Sequence, residues 1–340
     1  MELLSKIFAP FLDWIQVEVT SACNAACVYC PHTVYTQSWQ KNHMPMETFE
    51  RMVPAFRRTC LVYLQGWGEP LLHPRFFEMA RIARESGCQV GTTTNGMLCE
   101  GEMPDRIVRE GLSTVAFSLA GTDESQDMIR RGTRLNHVLQ AIEALDRAKR
   151  RLGSATPEIH VAYIWLSSQF DAIKRLPALL DGRGVSQVVV STLDFVPHPN
   201  LATEAVRARN EAEEAVLSGI VSEVVRDGRK RGLDIQCRLV SPHSAPGICT
   251  ENVTEALFVS SRGLVSPCVF RNLPVVENQG KAGSDLYSLP RLTFGDINNQ
   301  SISDTWRQKD YRRFRRDHAR GRGANWCGNC AKMFCSVPIA

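Results

Sequence analysis

The chain has 340 residues, 44% of them hydrophobic and 22% charged, with a formal net charge of +4. That composition excludes a disordered chain and fits one large domain or two unequal ones. The charge is too mild to imply nucleic acid or an anionic membrane, and the absence of any run of 18 apolar residues excludes a membrane-spanning helix.

At the amino end, Met1 to Phe8 lack the long apolar stretch and small-residue cleavage site of a secretory signal, so a cytoplasmic protein is expected. Strand-like runs follow at 14–20, 60–65, 89–94, 114–119, 159–165 and 187–192. Between them, apolar residues take helical spacing at 46–56, 74–86, 104–110, 137–151 and 173–180. Pro74 and Pro104 suit helix starts, and Gly87 and Gly111 suit helix ends. Six strands with intervening helices predict a parallel sheet of right-handed βαβ units. That is two units short of a closed eightfold barrel, so a curved, incomplete barrel is expected, with its active site at the carboxyl ends of the strands.

Further on, 204–231 reads as a long charged helix and 234–238 as a short strand. From Ser241 the chain is rich in Gly, Pro, Asn and Ser, and 256–260, Gly263 and 264–267 predict a hairpin. A small unit with little apolar core needs a staple, and metal is one. The expected class is α/β. A lead at 1–13 precedes a partial (β/α)6 TIM-like barrel at 14–200. A linking helix and strand at 201–240 then lead to a small cysteine-rich α+β extension at 241–340.

The chain has 12 cysteines. In a reducing compartment that number points to metal or redox chemistry rather than disulfides. Cys60, Cys88, Cys99 and Cys237 are scattered and read as small buried hydrophobes. Cys23, Cys27 and Cys30 form a C-x3-C-x2-C run directly after the first strand. Three thiolates hold three irons of a [4Fe–4S] cube and leave the fourth open to a small molecule. Zinc competes for the same spacing, with His32 as a fourth ligand. The bland reading is three unliganded buried cysteines.

With Tyr29 ahead of Cys30, this run resembles the C-x3-C-x-aromatic-C signature of radical S-adenosylmethionine (SAM) enzymes. The resemblance implies that the iron without a cysteine chelates SAM and that the reduced cluster cleaves the sulfonium. A 5′-deoxyadenosyl radical then takes a hydrogen atom from a substrate. Cys23, Cys27 and Cys30 become the catalytic residues. Gly66-Trp67-Gly68-Glu69-Pro70, after the second strand, is similar to the superfamily's Gly-Gly-Glu motif, with Trp67 in place of the middle glycine. By resemblance its backbone and Glu69 meet the SAM ammonium; otherwise it is a plain βα turn. Thr93-Thr94-Asn95-Gly96 resembles a further element of these enzymes, though Asn95-Gly96 also suits a turn. Ser118, closing the fourth strand, would bond the SAM ribose or carboxylate, or else simply satisfy itself at the strand end. Strands five and six would flank the adenine, with Tyr163 or Val190 nearby. Arg130 and Arg131 read as a solvated helix end, with a carboxylate partner as the alternative. The implied cofactor-binding residues are Tyr29, Gly66, Trp67, Gly68, Glu69, Asn95 and Ser118.

Cys249, Cys268, Cys327, Cys330 and Cys335 form a second group, reading C-x13-G-x4-C and C-x2-C-x4-C, with Gly263 internal to the first. Thiolates from separated loops give a closed metal site, and zinc held by four cysteines is the alternative to iron–sulfur. Together with Phe294-Gly295-Asp296-Ile297 and Ser301-Ile302-Ser303-Asp304-Thr305-Trp306, the region resembles the SPASM and twitch extensions of radical SAM enzymes. A full SPASM extension has seven cysteines, so five imply one auxiliary [4Fe–4S] cluster. The twitch arrangement implies Cys249, Cys268, Cys327 and Cys330 as its ligands, with Cys335 spare, a swapped ligand or a free thiol. Arg312, Arg313, Arg315, Arg316, Arg320 and Arg322 crowd one stretch. They read as a solvated amphipathic helix, or as a dock for an anionic partner or an electrostatic tuner of the cluster.

The resemblance implies an enzyme that abstracts hydrogen from a peptide, a protein or a metalloenzyme under maturation, with a reductant such as ferredoxin or flavodoxin. The run Cys30-Pro31-His32-Thr33-Val34-Tyr35 through Trp39 and Met44 resembles metalloenzyme maturases of the SPASM group. A sugar or aminocyclitol dehydrogenase or mutase is the second class, and a non-catalytic metal-stapled binding protein the third. Neither a membrane nor a specific nucleic acid is implied.

Overall fold

The computed structural model describes residues 11–240, 249–276, 290–328 and 330–334. Six parallel strands build its centre: β1 (Leu12–Val17), β2 (Thr59–Leu64), β3 (Gln89–Thr94), β4 (Thr114–Leu119), β5 (Glu158–Trp165) and β6 (Gln187–Thr192). The sheet runs further than the six predicted units. β7 (Asp234–Cys237) adds a parallel strand beside β6, and β8 (Ala256–Val259) pairs parallel with β1 on the opposite side. β9 (Leu264–Ser266) and β10 (Gly295–Asp296) then continue antiparallel, completing a 10-stranded sheet in the order β10-β9-β8-β1-β2-β3-β4-β5-β6-β7. The predicted hairpin is present between β8 and β9. Gly263 turns it at φ +87°, a backbone that residues with a Cβ rarely adopt.

Where burial alternates along a strand, it assigns the two faces. In β5, Ile159, Val161, Tyr163 and Trp165 are fully buried, while His160, Ala162 and Ile164 are half-buried. The first set joins the main core under the helices α1 (Phe76–Glu85), α2 (Met103–Arg109), α3 (Leu135–Leu152) and α4 (Glu211–Lys230). α3 shows why these helices form. Leu135, Val138, Leu139, Ile142 and Leu145 fall on one stripe and are buried. Each contributes about 1.5–3 kcal/mol by leaving water, which outweighs propensity differences of under about 1 kcal/mol per residue. Gly153, at φ +63°, ends the helix in the left-handed region.

Three helix expectations need correction. The run at 46–56 is two short helices, Met46–Glu50 and Val53–Phe56, because Pro54 brings no N–H to continue the ladder. The run at 173–180 begins earlier, as a 3-10 turn at Ser167–Arg175 ahead of Leu176–Leu180. α4 starts at Glu211 rather than 204, since the Asn210 side chain accepts from the Glu213 N–H (2.9 Å) and fixes the start. Of the scattered cysteines, Cys88, Cys99 and Cys237 are buried as expected, whereas Cys60 is exposed on the outward face of β2.

Candidate active site and cysteine centres

Parallel strands bring their carboxyl ends to one edge, and the motifs collect there. The loop after β1 carries Cys23, Cys27 and Cys30. Ala26–Cys27 forms a short antiparallel ladder with Arg130–Arg131, and Cys30 precedes the turn Pro31–Val34. A separate apolar cluster surrounds this loop, with Ala25, Cys27, Tyr29, Ala120 and Ile129 buried, and Cys23, Cys30 and Ile164 packed at its margin. Burial pushes the Cys23 thiol up to about 11 and the Cys30 thiol to about 12. Arg130 lies in the same cluster of charges. It is 6% exposed, donates to the Tyr29 hydroxyl, and leaves its Nε without a partner among the described residues. Burial works against its charge, but Cys27 and Tyr29 beside it raise its pKa. The expectation of a solvated helix end therefore fails at Arg130 and holds at Arg131, which is exposed. The ladder with Ala26–Cys27 turns Arg130 inward.

The loop after β2 is fitted against the cysteine loop. A Cβ on Gly68 would lie 2.4 Å and 2.5 Å from the carbonyl oxygens of Thr20 and Ala22, and one on Gly66 would lie 2.3 Å from Glu18 Cγ. Glu69 is buried, and its N–H donates to the Ala22 carbonyl (2.8 Å). Its Oε1 accepts from Thr94 Oγ1 (2.8 Å) and the Leu71 N–H (3.2 Å), and its Oε2 from the Asn95 N–H (2.7 Å). Asn95 Nδ2 in turn donates to Asn24 Oδ1 (2.6 Å), inside the cysteine loop. Burial raises the Glu69 pKa, and the donors from Asn95, Thr94 and Leu71 oppose it. Ser118 is half-buried on the face opposite Phe117 and Leu119. Tyr163 and Val190 both belong to the helix-covered core, so the expectation that either borders the adenine is corrected. Ile164, on the other face of β5, is the residue that packs towards the cysteine loop.

Trp67 points away from its own motif. Its N–H donates to Glu18 Oε1 (3.1 Å), and its indole Nε1 to the carbonyls of Val269 and Asn272 (3.3 Å each). Its ring sits 5.9 Å from both Phe195, after β6, and Phe270, which follows Cys268. Glu18 is fully buried and accepts at Oε2 from the Ser261 N–H (3.1 Å) and hydroxyl (3.0 Å). The loops after β1 and β2 are thus fastened to the β8–β9 hairpin and to the segment that follows Cys268.

Cys249, Cys268, Cys327 and Cys330 line one small enclosed cavity with Phe270 and Phe314. Burial raises all four thiols, Cys249 to about 12 and Cys327 to about 11. Lys332 spans the group, its Nζ 2.9 Å from Asp194 Oδ2 and 3.0 Å from Glu251 Oε1. His318 Nε2 lies 3.6 Å from Cys327 Sγ. Cys335 lies outside the described residues. His32, weighed as a zinc ligand, is buried edge-on to Trp39 at 5.3 Å, with neither ring nitrogen partnered among the described residues. Among those residues no three His, Cys, Asp or Glu side chains are close enough to share a single metal ion.

The family model of the radical SAM superfamily matches residues 17–157, and that of the SPASM iron–sulfur cluster-binding domain matches 249–331. The chain is a radical SAM enzyme with a SPASM domain behind its barrel. It is 26% identical over 316 residues to the tungsten-containing aldehyde ferredoxin oxidoreductase cofactor-modifying protein of Pyrococcus furiosus, covering 89% of this chain and 83% of that one. It is 29% identical over 141 residues to mycofactocin maturase MftC of Mycobacterium ulcerans, covering 40% and 36%. Its fold matches that of Streptococcus suis SuiB bound to S-adenosylmethionine, with a TM-score of 0.65 at 13% identity over 98% of this chain and 74% of that one. SuiB bound to its precursor peptide SuiA matches with a TM-score of 0.63, 13% identity and 98% and 73% coverage.

A radical SAM enzyme carries a [4Fe–4S] cluster and SAM, and its SPASM domain binds auxiliary iron–sulfur clusters. The donor sets suit such groups. Cys23, Cys27 and Cys30 meet in one apolar-walled loop, and Cys249, Cys268, Cys327 and Cys330 line one cavity, the grouped sulfur donors an iron–sulfur cluster takes. The unpaired Arg130 Nε suits an anionic group such as a carboxylate. Sequence reasoning missed Glu18, Asp194, Glu251 and Lys332, because each acts across the fold and no local spacing signals it.

Proposed function

We propose that Cys23, Cys27 and Cys30 hold the catalytic cluster, and that Cys249, Cys268, Cys327 and Cys330 hold one auxiliary [4Fe–4S] cluster. When bound, the reduced cluster supplies the electron that splits the sulfonium of SAM, and SAM supplies the hydrogen-abstracting group. Arg130 is read as the cation for the SAM carboxylate. The Glu69 oxygens are committed to Leu71 in its own loop and to Thr94 and Asn95 at the end of β3, so Glu69 ties these two loops together, while the glycine backbone at 66–68 meets the ammonium. Tyr29, Asn95 and Ser118 complete the proposed SAM site. Residues 14–200 form the proposed core, 201–240 the link and 241–340 the auxiliary unit, in a cytoplasmic protein. Among the described residues no helix is long and apolar enough to cross a membrane.

We infer that the substrate is a peptide, a protein or a metalloenzyme under maturation, with ferredoxin or flavodoxin as reductant. The observation that carries this is the likeness, along 89% of the chain, to a protein named for modifying a cofactor. Likeness to a maturase supports it. The test is anaerobic reconstitution followed by SAM, reductant and deuterated candidate precursors. Deuterium should appear in 5′-deoxyadenosine with a peptide or an apo-metalloenzyme, and Cys27→Ala should abolish cleavage. Transfer from sugars or aminocyclitols alone would move the enzyme to the small-molecule class.

A further inference from the structure

The helix α5 (Lys309–Ala319) has two unlike faces. Tyr311, Phe314 and His318 are buried, and Phe314 lines the cavity of the four cysteines. Arg312, Arg313 and Arg316 face solvent, and Arg320 and Arg322 extend the same exposed surface past the helix end. The solvated-helix reading has this charge offset by acidic residues elsewhere, and the helix itself carries only Asp310, exposed in its first turn, and Asp317. Asp317 is turned inward, accepting from the Trp326 indole (3.1 Å) and from Arg322 (3.2 Å), with Arg313 3.9 Å away. Among the described residues Arg312, Arg316 and Arg320 form no ion pair. In a chain whose net charge is only +4, this is a concentrated basic surface.

We propose that the outer face of α5, with Arg312, Arg316 and Arg320, is the docking surface for a small acidic one-electron carrier protein. The inference rests on the reading that the four cysteines behind the helix hold a redox cluster. One helix diameter, about 10–12 Å, separates the arginine face from the cavity side. Phe314, on the inner side of the same helix, lines that cavity, so a carrier seated there is one helix away from it. Nucleic acid fits less well. The guanidinium of Arg315 lies over Trp306 at 3.7 Å and that of Arg313 over Trp326 at 6.0 Å, so on these rings a base would compete with an arginine for the stacking face. Among the described residues the exposed large apolar side chains lie elsewhere, at Met128, Leu152, Val189, Val216 and Val276, so none of these anchors a membrane beside the arginines.

The test compares reconstituted holoenzyme with its Arg312→Gln/Arg316→Gln/Arg320→Gln variant, titrated anaerobically with an acidic flavodoxin. Wild-type affinity should fall as salt rises. At low salt the variant should bind about tenfold more weakly and respond less to salt, since exposed charges act chiefly through steering. Iron content and the rate of bleaching by dithionite should be unchanged. Equal flavodoxin affinity in the two proteins overturns the proposal. So does a loss of affinity accompanied by a loss of iron, or a variant that binds flavodoxin normally but loses single-stranded RNA. Cys327→Ala tests the underlying reading separately, because unchanged iron there refutes the cluster assignment whatever the arginines do.

Discussion

Lys332 is a clasp whose removal can be worked out from the structure. Its ammonium bridges Asp194, two residues past β6, and Glu251, two residues after Cys249, while Lys332 itself follows Cys330 by two. The three side chains are 15%, 9% and 21% exposed, so the pair is largely out of water. Breaking a buried pair from one side strands the opposite charge and typically costs about 3–5 kcal/mol. Domains of this kind hold about 5–15 kcal/mol in all, so Lys332→Met should visibly lower the urea midpoint of the apoprotein. Lys332→Met/Asp194→Asn/Glu251→Gln should recover much of the loss, because no charge is then left unpaired. Tryptophan fluorescence in urea reads both. A single variant within about 1 kcal/mol of wild type, as for a surface pair, would refute the reasoning, as would a triple variant no better than the single one.

Gly68→Ala pushes a Cβ into the carbonyls of Thr20 and Ala22, a strain of about 1–3 kcal/mol. It should displace the first cysteine loop, so reconstituted variant should keep auxiliary iron and lose the rest; full iron content contradicts this. Glu18 makes a pH prediction. Burial raises its pKa above 4.5, so its contribution to stability is complete below 4.5 and is lost as the pH rises through the raised value. The stability of wild type relative to Glu18→Gln should therefore decline from pH 4.5 towards neutrality in urea titrations, and a relative gain with pH would show that the hydrogen bonds from Ser261 and Trp67 outweigh burial.

The strands were legible because each is a short β-rich run, alternating in most, and five of the six central ones differ from the expected bounds by one residue or not at all at either end. The start of α4 was also written locally, in Asn210 with Glu213 three residues on, and was overlooked. What the pattern could not carry was direction. Tyr163 and Ile164 are adjacent, and only the position of the helix layer decides which faces the site. Arg130 looked like a surface residue because its burial depends on Cys27, over a hundred positions earlier. Trp67 looked like a departure from a glycine motif. Its indole in fact reaches the segment after Cys268, a long-range role that no neighbour in sequence announces.

The parallel pairing of Trp14 with Ala256 and of Val17 with Val259 bears on how the protein is made. On the ribosome, the first strand emerges early and waits, one flank bare, until the segment around residue 256 leaves the exit tunnel. Its free amides and carbonyls are during that time a template for any other nascent chain. The cysteine-bearing loop behind it is held by Ser261 through Glu18 only at that late stage. Shortening the gene from its 3′ end would therefore leave an unfinished sheet prone to aggregate, rather than a smaller working barrel.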